Sequence, residues 1–226
     1  LIALSYNRKG FSLIEILVTL ILVSLLFAMV AGGTLSSSAK LDEGLSLLER
    51  SILFGKDEST LRHSLTRLHF LLDKSPQEFA LEFGPEGSFV LPEPVAEESY
   101  ALSSGQREQL EAQKKDLDRK FNRVKEFQDK NNKLPDGIVI VGVSVGDRGK
   151  FLTVGEPSFY FYPNGDKDPA LIVVASAEEV IGLGIGPYED DITRYIRSID
   201  QNARAELQAQ QEELGRSIWE EWSKQQ

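Results

Sequence analysis

The sequence predicts an α+β fold, with a long N-terminal α-helix packed on a C-terminal antiparallel β-sheet domain and with extra charged helices. Three observations predict it. Residues 11–31 form an apolar run interrupted by a single charge. Leucines and isoleucines then recur at helical spacing as far as Leu72. From residue 78 onward, short runs of apolar, aromatic and β-branched residues alternate with clusters of Gly, Pro, Asn and Asp, the punctuation of an antiparallel sheet.

The first element is the run FSLIEILVTLILVSLLFAMVA, Phe11 to Ala31, in which Glu15 is the only charged residue. A helix of about 21 residues rises roughly 30 Å, the thickness of a bilayer's hydrocarbon core. Arg8 and Lys9 precede it, and no further lysine or arginine occurs before Lys40. That asymmetry keeps the N-terminus in the cytoplasm and sends the rest of the chain across the inner membrane. The run is too long and too apolar for a soluble-core helix. Its end, Met29-Val30-Ala31-Gly32-Gly33, fits a signal-peptidase site poorly.

Glu15 argues against a plain anchor. A carboxylate costs about 2.5–3.5 kcal/mol at the centre of a membrane helix, and an ionisable residue there asks for a partner. Cleavage between Gly10 and Phe11 would give Phe11 a free cationic amine and make Glu15 the fifth residue of the product. The amine of one subunit would then neutralise Glu15 of a neighbour, as a buried charge requires.

The segment Lys9-Gly10-Phe11-Ser12-Leu13-Ile14-Glu15, with Ile16-Leu17-Val18-Thr19-Leu20 after it, closely resembles the cleavage and methylation motif of prepilins. Type IV pilins and the pseudopilins of type II secretion share that motif. The resemblance implies that a prepilin peptidase cuts after Gly10 and methylates Phe11. It further implies that Glu15 serves methylation and assembly, and that Arg8 and Lys9 belong to the basic leader.

Beyond the membrane, Gly32-Gly33-Thr34 and Ser36-Ser37-Ser38 weaken a helix, so a flexible point is expected there. Leu45, Leu48 and Ile52 continue an apolar stripe, and Leu61, Leu65, Leu68 and Leu72, spaced four, three and four, predict a second amphipathic helix. Gly55 is expected to separate the two, Ser59 or Thr60 to cap the second, and Pro76 to end it. Glu78–Phe83, a turn at Gly84-Pro85-Glu86-Gly87 and Ser88–Leu91 read as a β-hairpin. Residues 92–105 read as a loop. Residues 106–133, dense in both charge signs with Leu110, Leu117, Phe121, Val124 and Phe127 near helical spacing, read as a solvated helical insert. Asp136-Gly137 is a turn before the β-branched run Ile138–Val145. Ser158–Tyr162 and Leu171–Ala175, joined through Pro163-Asn164-Gly165-Asp166, read as a second hairpin. Residues 188–226 read as a helical tail in which Trp219 and Trp222 dock on an apolar surface.

The expected division is a cleaved leader at 1–10, a membrane and assembly helix at 11–31 and a periplasmic continuation of the helix at 32–75. A β-rich domain follows at 76–187, with its insert at about 106–133, and the tail occupies 188–226. This order, with the passage around Ser75–Leu91 and Leu134-Pro135-Asp136-Gly137 leading to the Phe159–Ala175 segment, resembles the H-type minor pseudopilins and the FimT-like minor pilins. The resemblance implies a pilin-like fold and a structural subunit, not an enzyme, that needs no cofactor. Its implied partners are other pseudopilins or pilins, the prepilin peptidase and the inner membrane. The alternatives are a minor pilin of a type IV or DNA-uptake pilus, and a single-pass envelope binding protein or enzyme with an accidental match.

Other chemistry finds little support. The net charge of −10 argues against a nucleic-acid partner, and the absence of cysteine excludes disulfides and thiolate metal sites. His63 and His69, six residues apart, are not neighbours on a helix face. Asn164, Asp166 and Asp168 lack the register of a calcium loop and read as a turn, and Glu189-Asp190-Asp191 reads as a solvated helix start. Gly182, Gly184 and Gly186 lack the lysine of a phosphate loop and read as a linker. Ser176 belongs to no nucleophile motif.

Overall fold

The computed structural model describes residues 12–86, 91, 104–125, 133–146, 149–188, 191–202 and 206–225, apart from the side chains of residues 28–36, 86, 104 and 107. The expected α+β class is what it shows. One helix, α1 (Leu13–Arg62), runs unbroken for 50 residues, about 75 Å at 1.5 Å per residue. Among the described residues eight strands follow: β1 (Ser64–Leu71), β2 (Glu78–Glu86), β3 (Asn122–Arg123), β4 (Val139–Val145), β5 (Ser158–Phe161), β6 (Ala170–Ala175), β7 (Glu179–Ile185) and β8 (Ile192–Ser198). Helix α2 (Ser104–Asp118) lies between β2 and β3, and α3 (Leu207–Ser223) comes last. The first sheet has the order β3-β2-β1-β5 and the second β4-β6-β7-β8, and their pairings are antiparallel.

The upper half of α1 organises the core. Leu41, Leu45, Leu48 and Ile52, spaced four, three and four, are buried against both sheets: Leu68, Phe70, Phe79, Leu81, Phe159 and Phe161 from the first, and Ile172, Val174, Ile181 and Leu183 from the second. A bulge between Ile140 and Gly142 turns Ile140 and Val143 to this core and Val141 to the opposite face. That opposite face of the second sheet is covered by α3 through Ile218 and Trp222. The docking surface expected for the tail is therefore the protein's own sheet, although Trp219 is only partly buried.

Several expectations are corrected. The helix does not break at Gly32-Gly33 or Gly55, and it ends at Arg62 rather than near 75, with His63 in the left-handed region (φ 49°) donating its N–H back to Thr60 O. Residues 64–71 are a strand. Its leucines sit at helical spacing because both of its faces are buried: Leu68 and Phe70 face the core, while Leu65, Arg67, His69 and Leu71 lie on the other side. Ser59 is not a cap; its hydroxyl donates to Lys56 O (2.7 Å) and Tyr162 O (3.1 Å). Pro76 sits in the β1–β2 turn, after a cis Ser75–Pro76 bond.

β2 extends through Gly84-Pro85-Glu86 and pairs with β1, so the expected 78–91 hairpin does not form in that register, and residues 87–90 lie outside the described residues. The helix of the insert covers Ser104–Asp118 and gives way to β3, while residues 126–132 lie outside the description. The Tyr162–Asp166 turn is real: Gly165 N donates to Tyr162 O (3.0 Å) and Gly165 has φ 90°. It does not close a hairpin, however, because β5 belongs to the first sheet and β6 to the second. Gly182 and Gly184 lie in strand β7, not in a linker. A Cβ at Gly182 would stand 2.6 Å from Ile218, and one at Gly184 would stand 3.1 Å from Trp222, so these glycines are the shallow track on which α3 lies. The tail begins with β8 and is helical only from Leu207.

Gly55 marks the closest approach of α1 to the first sheet. A Cβ there would lie 2.6 Å from Phe161 Cε2 and 3.0 Å from Leu81 Cδ1, and Phe161 is fully buried. Alanine would add about 1 kcal/mol of helix propensity, but overpacking costs typically 1–3 kcal/mol. Gly55→Ala is expected to lower stability by about 1 kcal/mol in denaturant unfolding of the full chain in detergent. A variant more stable than the parent would show that Phe161 has room to yield.

Candidate functional site

Two groups of side chains stand out, one foreseen in the sequence and one not. The first is the lower half of α1. Ser12 is extended (φ −72°, ψ 143°), and its carbonyl accepts the N–H groups of Glu15 (3.0 Å) and Ile16 (3.2 Å), which starts the helix. Glu15 stands in the first turn, where the N-terminal end of the helix dipole favours a carboxylate. Thr19 does not serve that carboxylate; its hydroxyl donates to the carbonyls of Glu15 (3.0 Å) and Ile16 (2.8 Å). The next cation along the chain is Lys40, about 37 Å up the helix.

Around Glu15 the helix is apolar on every side. Leu13 is 82% exposed and Phe27 72%, and ten large apolar side chains between them are exposed as well. A helix apolar all round is at home in a core or a bilayer, and among the described residues no element covers Leu13–Phe27. Among the described residues no helix is long and apolar enough to cross a membrane. The part of the run with described side chains, Leu13–Phe27, rises only about 22 Å. Gly10, Phe11, Arg8 and Lys9 lie outside the described residues.

The second group lies on the outer face of the first sheet. Arg67, at the centre of β1, has its guanidinium 2.7 Å from Glu82 on β2 and 2.7 Å from Asp118 at the end of α2. The Phe121 ring covers it, 4.1 Å from Cζ to centroid, and Arg123 stands 3.7 Å from the other oxygen of Glu82. Burial works against the arginine's charge, but Glu82 and Asp118 outweigh it and raise its pKa. Next along β1, His69 Nδ1 is 2.8 Å from Ser158 Oγ, and burial followed by the charge of Arg67 pushes its pKa below the ordinary 6.5. The signal in the sequence was a cation and a histidine inside SLTRLHFL and an acid inside EFALEF. Polar residues at such positions in two-sided strands mark a covered polar layer.

The remaining candidates serve structure. Asp168 accepts the Tyr162 hydroxyl (2.9 Å) and the Tyr160 N–H (3.2 Å), and Asn164 bonds Asp166 (2.6 Å) within the turn. Burial, with Asp168 nearby, raises the pKa of Tyr162. Ser176 Oγ accepts the N–H groups of Glu178 and Glu179 (both 3.1 Å) and so fixes the β6–β7 turn. A cavity of about 520 Å³ opens between the β1–β2 turn, the start of β4 and α3. Amides on its wall are engaged, Gln77 with both backbone groups of Ile140 and Gln211 with Ser176 O.

Residues 5–31 match the family described as the prokaryotic N-terminal methylation motif. No curated protein and no solved structure is detectably similar to the chain. The match includes Glu15 and the exposed stretch Leu13–Phe27 of α1, and the helix-on-antiparallel-sheet fold above it is consistent with a pilin. Motif and fold together support a structural subunit of the type IV pilin-like family.

Proposed function

We propose that the chain is a minor pseudopilin of a type II secretion system, a structural subunit of a periplasmic filament. The carrying observation is the coincidence of the methylation motif at residues 5–31 with a helical stretch, Leu13–Phe27, that is apolar all round, exposed and marked by one acid. In this reading the prepilin peptidase cuts after Gly10, Phe11 becomes the methylated N-terminus, and the lower halves of neighbouring helices bundle. Before assembly, residues 11–31 hold the chain in the inner membrane, with Arg8 and Lys9 on the cytoplasmic side and the sheet domain in the periplasm. A minor pilin of a type IV pilus shares each of these features. The net charge of −10 lends no support to a DNA-uptake role.

Coexpression with a prepilin peptidase tests the reading. The intact mass is expected to fall by residues 1–10 and to include one methyl group, with Phe11 as the N-terminal residue. A chain that stays full length where other prepilins are processed would refute it and favour a plain single-pass envelope protein.

A further inference from the structure

From Lys114 to Arg123 the chain lies as a strap across the outer face of the first sheet, and polar groups hold most of it. Helix α2 is largely exposed, with Leu110 and Leu117 half-buried. Lys114 pairs with Glu156 (3.1 Å), Asp118 with Arg67 (2.7 Å) and Arg123 with Glu82 (3.7 Å). Its buried apolar anchor is Phe121, beside Tyr160 at 6.1 Å between ring centroids. β3 adds only two residues of pairing to β2. On the face it crosses, His69 is 5% exposed. The charged and titratable groups around His69 are Arg67 on β1, Glu82 on β2, Tyr160 on β5, Glu156 ahead of β5 and Asp118 on α2.

We propose that this strap is an acid-released latch, closed over the sheet while His69 is neutral and opened when His69 takes up a proton. A charged imidazole on the closed face would lie out of water beside the fixed charge of Arg67. The three carboxylates that would favour it are already engaged, Glu82 by Arg67 and Arg123, Asp118 by Arg67 and Glu156 by Lys114. Opening returns the ring to water. The open form therefore binds the proton more tightly, and acid shifts the balance toward it. By linkage the open population rises by up to about tenfold per pH unit, from about pH 6.5 down to the lowered pKa of the closed form. The response is local because the sheets themselves are held by the α1 core, not by the strap. Opening would bare the polar face and free the edge of β2. The inference does not depend on which filament the chain serves.

Hydrogen exchange on the full chain in detergent, from pH 8 to 5 and normalised to intrinsic rates, tests it. Protection of the amides of residues 105–123 is expected to hold above about pH 7 and to fall below about 6.5 by up to roughly tenfold per unit. Amides of β6 and β7 keep theirs, and His69→Gln removes the pH dependence. The midpoint of the His69 ring titration by NMR, read on the unsubstituted chain, must coincide with the strap's loss of protection, which decides the matter even if His69→Gln does not fold. PH-independent protection, an equal loss throughout the sheets, an unaltered profile in His69→Gln or a ring titration apart from the opening would each overturn the latch.

Discussion

Glu15→Ala is expected to leave the chain in the membrane and remove it from the filament. In the proposed membrane segment, alanine at this position removes the one charge of the apolar run, so insertion is expected to be unchanged or improved. Assembly is where the loss falls. In the proposed filament, Glu15 of one subunit meets the amine at Phe11 of the next. Removing one member of a buried, hydrogen-bonded charge pair costs about 2–5 kcal/mol, much of it for the charge left behind. At 1.4 kcal/mol per factor of ten, each subunit addition becomes more than about tenfold less favourable. The measurement is the ratio of membrane-fractionated to filament-incorporated subunit, with crosslinking to neighbours as a second readout. Incorporation at the parental level would show that the carboxylate has no part in assembly.

Arg67→Ala is expected to give the largest loss of folding stability, about 3–5 kcal/mol. The guanidinium side chain is 3% exposed and holds two carboxylates, of which Glu82 is itself 9% exposed. Truncation leaves Glu82 buried with only the more distant Arg123 and takes Asp118 off the sheet. It also withdraws the group over which Phe121 stacks. The double replacement Arg67→Met, Glu82→Leu is expected to recover most of the loss, because an apolar pair of similar volume leaves no orphaned charge. Denaturant unfolding of the full chain in detergent measures both variants. A loss below about 1 kcal/mol for Arg67→Ala would place the pair among weak surface ion pairs.

The legible part of this chain was the part whose pattern has one cause. The methylation motif is a contiguous pattern of residue types, and the family model matches it at residues 5–31. The stripe Leu45, Leu48 and Ile52, and the strands expected at Ile138–Val145 and Leu171–Ala175, follow directly from burial on one helix face or on two strand faces. Where two causes give one pattern the reading failed. The leucines of β1 mimic a helix because the strand is covered on both sides, by α1 on one and by the α2–β3 segment on the other. The aromatic run before the Pro163-Asn164-Gly165 turn looks like half a hairpin, but it leaves for another sheet, which no local residue encodes. Gly182 and Gly184 resemble a linker until Ile218 and Trp222, more than thirty residues later, come to rest on them. The Arg67 cluster was hidden for the same reason, since its partners Glu82 and Asp118 lie 15 and 51 residues away in the chain.

The unbroken length of α1 also has a mechanical consequence. Its apolar stripe from Leu41 to Ile52 extends about 16 Å along the axis and lies between two sheets. Tension applied at the lower end would drag the whole stripe past its neighbours at once, in shear, instead of unzipping it one side chain at a time. A rod seated in this way transmits thrust and pull to the head with little give.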